Sequence, residues 1–432
     1  MSEIKDYIVY PDDINIYIPP TMPAKQNMFY KNLVYVASAV VSKVCIRAGS
    51  KIEKINMDGL KPPYIVLSNH TQFADFLVSF RALRAYRFNN IATFDGFVGM
   101  EKIMEKLGCA CHRKFTTDIS LVRAVHKVLH EYKDILYMYP EARYTNVGTT
   151  SLIPDVVAKL VKKNKVPLVV MIHHGNYLNA PFWDFRQYRK VPFKATMKQI
   201  LTAEQVQEMS VAEINEVIQR EMYYDDYKWQ KENNIRITED FRADGLNKIL
   251  YQCPHCMTEG KMVGKGIHLA CEECGKQWEM TELGEMKALD GKTEFSHIPD
   301  WYAWERDNVR KQILDGTYRY EEELQVYSTP GVNEYINLGQ AKVTHDFENG
   351  FVVTGHYNGH DYRIQRQTKT LYTLHNEFAF KKLGKVDCFD VSVKDNSFYC
   401  IPRQKDVVTK LMLATEEAYK IATMPKVSTK AE

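Results

Sequence analysis

The chain has 432 residues, of which 45% are hydrophobic, 26% charged and 12% aromatic. This balance excludes a disordered or collagen-like chain, and because a domain takes roughly 100–200 residues, the length predicts two or three domains. The 57 Lys and Arg and the 54 Asp and Glu leave a net charge of +3, so no overall field favours nucleic acid as a partner.

The nine cysteines indicate the compartment. Four of them form two Cys-x-x-Cys pairs in a long chain, which is typical of metal binding in a reducing environment and not of a disulfide framework. The first 23 residues lack the basic start and apolar stretch of a signal peptide. We therefore expect a cytoplasmic protein.

Residues 28–48 predict an amphipathic helix. Its charge-free run, between Lys31 and Lys43, spans eleven residues, whereas a helix that crosses a bilayer needs ~20. Lys31, Ser38 and Ser42 are predicted to lie on a polar face, opposite the apolar residues Phe29, Leu33, Val36, Val40 and Val44. Such a basic helix either lies in the anionic surface of a membrane or packs on its own domain.

Short apolar runs alternate with helical stretches over residues 64–172. Strands that alternate with helices are typical of a mostly parallel sheet with helices packed against it. Strands are predicted at 64–67, 91–94, 135–139 and 168–172. A helix is predicted at 202–231, where Ser210 and Glu213 have the spacing of a capping box. These elements predict an α/β domain over residues 1–245.

The segment Ser68-Asn69-His70-Thr71-Gln72-Phe73-Ala74-Asp75 follows the first of these strands. His70 and Asp75 lie on different faces of a continuous helix, so they can meet only if His70 lies in the loop before it. Asp75 would then fix the imidazole tautomer, and His70 could take a proton from an alcohol. This is a Ser-His-Asp triad without its serine, and it predicts a substrate hydroxyl as nucleophile. The alternative is a helix-capping Asp beside a hydrogen-bonded His.

Three further blocks follow in order: Gly108-Cys109-Ala110-Cys111-His112-Arg113, Tyr139-Pro140-Glu141-Ala142-Arg143 and Val166-Pro167-Leu168-Val169-Val170. Together with the His70 segment, this part of the chain resembles the glycerophospholipid acyltransferase superfamily, which includes lysophosphatidic acid and glycerol-3-phosphate acyltransferases. The family's blocks are Asn-His, four residues and Asp; a Gly-rich strand that ends in Arg; Phe-Pro-Glu-Gly-Thr-Arg; and a Val-Pro strand. The resemblance covers about residues 30–200.

The resemblance implies an acyltransferase fold and transfer of a fatty acyl group from acyl-CoA or acyl-carrier protein. The acceptor would be a hydroxyl of a lysophospholipid or glycerol phosphate at a membrane lipid surface. His70 would be the general base and Asp75 its orienting partner. Arg113 and Arg143 would hold the acceptor's phosphate, since a guanidinium suits its geometry and charge. Glu141 would position the acceptor or the arginines.

Two departures from the family pattern bear on the acceptor. Gln72 stands where the family has a small residue. Arg143 follows Glu141 by two residues instead of three, so either the loop is re-routed or Tyr144 takes the place of the family's Arg. This altered block supports the alternative function, a non-enzymatic lipid-binding adaptor on an acyltransferase fold, whereas a base such as His70 supports an enzyme.

A second group of candidate functional residues is a pair of Cys-x-x-Cys knuckles, Cys253-Pro254-His255-Cys256 and Cys271-Glu272-Glu273-Cys274. Two such knuckles at this distance place four thiolates around one tetrahedral metal, for which zinc is favoured inside cells. A closed four-Cys site has no open position for chemistry, so the zinc would be structural. A zinc ribbon is predicted over residues 246–295.

Residues 296–432 change to short, alternating runs with turn signals such as Asn349-Gly350 and Asn358-Gly359. Strands are predicted at 318–327, 335–343, 350–357, 362–366, 371–374, 388–393 and 398–401, and a helix at 405–422. In pattern alone, this order resembles a small barrel of the pleckstrin-homology kind.

Overall fold

The structure is a computed structural model that describes residues 6–45, 51–116, 119–184, 187–192 and 194–423. These residues divide into two compact units, one within Tyr17–Trp301 and the other within Met1–Ile16 and Tyr302–Glu432. Each unit is considered separately below. The domain boundaries at 245 and 295 stay predictions.

The larger unit contains a seven-stranded sheet, which confirms the predicted α/β arrangement with a mostly parallel sheet. Its order is β1-β7-β6-β2-β5-β3-β4. Only β7 pairs antiparallel, with β6. The strands are β1 (Lys51–Ile55), β2 (Ile65–Ser68), β3 (Phe88–Thr93), β4 (Ala110–His112), β5 (Ile135–Met138), β6 (Leu168–His174) and β7 (Lys194–Leu201).

Helices cover this sheet, and several of them pack an apolar face against it. The core combines Leu67 of β2 and Val170 of β6 with Val125, Val161 and Ile218 from three helices. The helices are α1 (Met28–Cys45), α2 (Ala74–Ala82), α3 (Phe94–Phe97), α4 (Glu101–Lys106), α5 (Ile119–His126), α6 (Val156–Asn164), α7 (Asn176–Asn179), α8 (Ala203–Glu208), α9 (Val211–Met222) and α10 (Asp226–Glu232).

The helix predicted at 202–231 is three helices, α8, α9 and α10. The capping box of Ser210 and Glu213 is confirmed, and it starts α9 instead of lying inside a longer helix. Thr202 and Gln205 form a second capping box at the start of α8. Because each box satisfies free N–H groups at a helix start, the sequence begins a new helix there.

The face of α1 that packs on the protein is the polar one. Lys31 is 1% exposed and its ammonium donates to the carbonyls of Leu83, Arg84 and Tyr86, at the end of α2. A cation is favourable there because the last carbonyls of a helix lack partners. The sequence places Lys31 on a polar face and leaves open whether the helix packs on its own domain, and in the structure Lys31 and Ser38 of this face are buried.

The apolar face of α1 is exposed. Phe29, Leu33 and Val36 are 71%, 54% and 58% exposed. The side chains of Val40 and Val44, and residues 46–48 of the predicted helix, lie outside the described residues. Within the described ranges, no helix is long and apolar enough to span a membrane.

A four-stranded antiparallel sheet follows in the same unit, in the order β11-β10-β9-β8. It packs on α10: Ile237 just after that helix donates its N–H to the carbonyl of Glu282 at 2.8 Å, and Gln230 donates to the same carbonyl at 3.0 Å. His297 also contacts Asp225, at 2.9 Å. The strands are β8 (Met262–Lys265), β9 (His268–Cys271), β10 (Gln277–Met280) and β11 (Met286–Ala288).

The smaller unit holds a second antiparallel sheet of seven strands and a closing helix, as the sequence predicts. Its order is β15-β14-β13-β12-β18-β17-β16, with β15 and β16 at the two ends, and a barrel of the pleckstrin-homology kind stays a prediction. The elements are α11 (Ile298–Leu314), β12 (Tyr320–Ser328), β13 (Ile336–Asp346), β14 (Gly350–Tyr357), β15 (His360–Arg366), β16 (His375–Phe380), β17 (Val386–Ser392), β18 (Ser397–Ile401) and α12 (Val407–Thr423).

The strand predicted at 371–374 is wrong, because β16 begins at His375. The apolar pattern misses this strand since its first residues are polar and buried. His375 is 3% exposed and its Nδ1 lies 2.6 Å from a carboxylate oxygen of Asp390 on β17.

The N-terminal segment also joins this unit, where the Tyr10 hydroxyl contacts Ser328 at 2.6 Å and accepts a hydrogen bond from Asn396 at 2.8 Å.

Candidate active site

The site lies where the parallel strands of the larger sheet end. His70 follows β2, Arg113 follows β4 and Glu141 follows β5. Because β2, β5, β3 and β4 pair in parallel, their carboxyl ends meet at one edge of the sheet, the usual place for chemistry in such folds. Topology therefore brings these predicted residues to one edge.

His70 and Asp75 meet as the sequence predicts. His70 lies in the loop before α2, and its Nδ1 is 3.3 Å from Oδ2 of Asp75. The buried carboxylate also accepts the N–H groups of Thr71 at 2.6 Å and Gln72 at 3.0 Å, and the side-chain amide of Asn176 at 2.6 Å. Asp75 thus holds the loop before α2 and also orients His70, and the N–H groups that it accepts precede the helix instead of belonging to its first turn.

These partners set the charges of the pair. Burial raises the pKa of Asp75, but His173, His70 and Asn176 outweigh it and lower that pKa to about 2. Burial lowers the pKa of His70, although Asp75 opposes this. At neutral pH, Asp75 is therefore ionised and His70 is neutral, the form that a general base requires.

The contact with Asp75 also selects the tautomer of His70. A carboxylate only accepts hydrogen bonds, so Nδ1 carries the proton and Nε2 is left as an acceptor. The side chain is 18% exposed. Among the described residues, Nε2 has no hydrogen-bond partner. No serine or cysteine there is paired with the base, which leaves Nε2 available to a bound hydroxyl.

Glu141 holds the His70 loop. Its carboxyl oxygens accept the backbone N–H of His70 at 3.3 Å and that of Ser151 at 2.7 Å. Burial raises the pKa of Glu141 to about 7, although the N–H of Ser151 and the charge of Arg143 oppose this. Glu141 therefore contacts the backbone of His70 itself, and its carboxyl group changes charge near neutral pH.

Both predicted phosphate-binding arginines are buried. Arg113 is 7% exposed and its guanidinium lies 3.6 Å from the centre of the Phe94 ring. Arg143 is 4% exposed and donates to the carbonyl of Tyr144 at 3.3 Å. The cation whose charge acts on His70 is Lys114. The phosphate-binding role of the arginines stays a prediction.

Sequence reasoning missed three side chains next to His70. Lys114 pairs with Asp95 at 2.9 Å, and both charges act on His70. The Tyr139 ring lies parallel to the His70 ring at 3.7 Å, and the Tyr144 ring lies 4.3 Å away. The altered block itself was the available signal for Tyr144, which stands three residues after Glu141.

Asp226 supports the His70–Asp75 pair indirectly, through Gly175, and the sequence analysis did not identify it. Its Oδ1 accepts the N–H of Gly175 at 2.6 Å and the hydroxyl of Tyr224 at 2.9 Å. Gly175 precedes Asn176, the amide donor to Asp75. Burial raises the pKa of Asp226 to about 8, although those two donors lower it. Asp226 therefore keeps its proton at neutral pH, beside the ionised Asp75.

The four predicted cysteine ligands come together beside the four-stranded antiparallel sheet, from the loop before β8 and from the end of β9 and the turn after it. Their Sγ atoms all lie within 4.8 Å of one another, with Cys253 and Cys274 at 3.8 Å and Cys256 and Cys271 at 3.7 Å. A tetrahedral zinc with Zn–S bonds of about 2.3 Å places its sulfurs about 3.8 Å apart. The cluster can therefore bind a metal such as zinc.

Comparison with known proteins gives a weak structural likeness. No family model and no curated protein matches the sequence. Among solved structures, the chain is similar to the 1-acyl-sn-glycerophosphate (LPA) acyltransferase PlsC from Thermotoga maritima, with 13% sequence identity and a TM-score of 0.32. The match covers 45% of this chain and 77% of that chain. Because these values are low, the function proposed below rests on the site's geometry.

The buried acid Asp226 predicts a pH-dependent stability. Folded protein keeps this proton up to about pH 8, whereas the unfolded chain releases it above about pH 4. Stability is therefore lost as pH rises from about 4 to 8. Asp226→Asn keeps an acceptor for Gly175 and Tyr224 and cannot ionise, so its stability relative to wild type should increase by ~3–5 kcal/mol across this range.

Urea unfolding at pH 5, 6, 7 and 8 measures this difference. Asp240→Asn, at an exposed position, is the matched control and should keep the wild-type pH dependence. Parallel pH curves for Asp226→Asn and wild type would contradict the prediction.

Proposed function

We propose that the protein is an O-acyltransferase with His70 as its general base. The observation that carries the proposal is the buried, ionised Asp75 on Nδ1 of His70, which leaves Nε2 as an acceptor. A binding module has no need for a buried carboxylate of this kind. The donor would be an acyl thioester of CoA or of acyl-carrier protein, and the acceptor a lysophospholipid or glycerol phosphate.

The reaction needs no covalent acyl-enzyme. The acceptor's hydroxyl oxygen attacks the thioester carbonyl while its proton moves to Nε2 of His70. The tetrahedral intermediate then breaks its C–S bond, and the imidazolium returns the proton to the leaving thiolate. Asp75 stabilises the imidazolium between the two steps, as a carboxylate does in a serine-protease triad. Holding both reactants at this edge supplies much of the rate.

Charged residues around His70 have matching tasks in this scheme. Arg113 and Arg143 would attract the acceptor's phosphate. Glu141 would hold the His70 loop through the backbone N–H that it accepts. The altered Glu141-Ala142-Arg143 block then affects which acceptor is used and leaves the base intact.

We also propose that α1 places the enzyme on an anionic membrane surface. Its exposed apolar residues Phe29, Leu33 and Val36 and its buried Lys31 support this orientation. An apolar helix face that lies in the membrane–water interface stabilises membrane binding, because each of its side chains is removed from water.

Zinc is proposed as the metal of the four-Cys cluster. The sulfur spacing supports it. The two knuckles also have the same backbone turn. The residue directly after the second cysteine of each knuckle has a positive φ angle, 67° at Met257 and 75° at Gly275. Closed four-sulfur coordination leaves no position for a substrate, so the metal would stabilise the ribbon.

Loss of the base should abolish most of the activity. His70→Ala should lower acceptor-dependent thiol release from acyl-CoA by ~10²–10⁴-fold, measured with a panel of lysophospholipids and glycerol 3-phosphate. His126→Ala, at an exposed position on α5, is the control and should keep wild-type activity. If wild type releases no thiol from acyl-CoA or acyl-carrier protein but still binds vesicles, the lipid-binding adaptor is the better function.

Charge on the exposed face of α1 should weaken membrane binding. Leu33→Glu with Val36→Glu should reduce binding to phosphatidylserine-containing vesicles by at least ~10-fold, because two apolar contacts of ~1.5–3 kcal/mol each are lost. Co-sedimentation measures the effect. Val156→Glu, at a position 61% exposed on α6, is the matched control, and equal binding of all variants would contradict the role of α1.

Metal analysis tests the ribbon. Protein purified under reducing conditions should contain about one zinc per chain, and Cys271→Ser should contain much less, because a closed site needs all four thiolates. Chelation should make residues 250–290 sensitive to protease, since metal binding supplies much of a small ribbon's stability. Full protease resistance of the metal-free protein would contradict a structural role.

A further inference from the structure

His70 carries two tyrosine rings against its imidazole, and we call Tyr139 and Tyr144 the tyrosine pair. The Tyr139 ring lies 3.7 Å from the imidazole centre with 13° between the planes. The Tyr144 ring lies 4.3 Å away and is tilted by 54°. Both rings come from the loop after β5 that also carries Glu141. This loop therefore contacts His70 twice, at its backbone N–H through Glu141 and at its imidazole ring through the tyrosines.

The parallel contact between the Tyr139 and His70 rings favours one protonation state of His70 over the other. Two neutral rings disfavour direct face-to-face stacking because their negative faces repel each other. A cation against the same face is attracted by it. The Tyr139 contact is therefore stronger for the imidazolium than for the neutral imidazole.

The hydroxyl of Tyr139 points to the same conclusion about the ring. This oxygen is buried and makes no hydrogen bond of good geometry among the described residues, and its polar neighbour is the Tyr137 side chain. We therefore expect Tyr139 to act on His70 through its ring face. Phenylalanine at this position should keep the same effect on the His70 pKa. Tyr144 is half-buried, and its ring also packs near Phe182, at 5.4 Å.

We propose that the tyrosine pair holds the His70 ring in place and stabilises the imidazolium that forms when the base takes the acceptor's proton. Tyr139 and Tyr144 are then positioning residues that act through His70. Because this interaction is stronger after proton transfer than before it, it lowers the barrier and does not merely tighten substrate binding. The inference rests on the proposed function of His70 as general base.

Other charged groups face His70 from each neighbouring element. Asp75 on α2 and Asp95 on α3 favour the imidazolium, and Lys114 after β4 opposes it. Burial lowers the pKa of His173 on β6, which favours its neutral form. Glu141 accepts the backbone N–H of His70. Each group stays in place when a tyrosine is replaced, so a change in His70 titration reports the tyrosine pair.

Titration of His70 by NMR in full-length, histidine-labelled protein tests the proposal, with the His70 signal assigned from His70→Gln. Tyr139→Leu and Tyr144→Leu should each lower the pKa of His70 by ~0.4–1.5 units, the range that a cation–π contact supports. Tyr139→Phe and Tyr144→Phe should keep the wild-type value. Tyr223→Leu, at a position 70% exposed, is the matched control.

Kinetics separates positioning from a general structural effect. In the Leu variants, kcat should fall ~3–30-fold with little change in KM, and the Phe variants should restore kcat. Since Tyr144 is half-buried, Tyr144→Leu tests the proposal even if Tyr139→Leu fails to fold. An unchanged His70 pKa in folded Tyr144→Leu would overturn the inference. A shifted pKa without any acyl transfer by wild type would overturn the proposed function and leave the ring contact intact.

Discussion

The buried carboxylate of Asp75 is the interaction on which the candidate site depends. A carboxylate without water costs several kcal/mol unless donors surround it. Here, Thr71 and Gln72 supply backbone N–H groups, Asn176 supplies an amide and His70 supplies Nδ1. These donors come from the loop after β2 and from α7, so one charge fixes the start of α2, the His70 ring and the segment after β6 together.

The support for Asp75 extends outward to the antiparallel sheet that carries the four-Cys cluster. Asn176 is held because Asp226 accepts the N–H of Gly175, and Asp226 begins α10. The sheet packs on this helix through Gln230 and Glu282. The antiparallel sheet is thereby placed against the helix behind His70, and a metal held by its four cysteines would stabilise this contact.

Residue patterns predicted the parts of the protein that local chemistry determines. The spacing of His70 and Asp75 and the cysteine pairs each predicted a contact that the structure contains. Pattern alone did not decide which face of α1 packs inward, because an amphipathic helix has the same residue spacing in either orientation. It also missed Asp226 and His375, since a buried polar residue is explained only by a partner far away in sequence. Arg113 and Arg143 were predicted as phosphate ligands from resemblance, and their burial is information that only tertiary structure supplies.

The tautomer of His70 tests the central claim most directly. Nitrogen-15 NMR of histidine-labelled protein near pH 7 distinguishes a protonated Nδ1 from a protonated Nε2. We expect the proton of His70 on Nδ1 and a free lone pair on Nε2 in wild type, and a mixture of tautomers in Asp75→Asn, whose side chain no longer only accepts hydrogen bonds. A wild-type His70 with its proton on Nε2, or a tautomer unaffected by Asp75→Asn, would contradict a base oriented by Asp75.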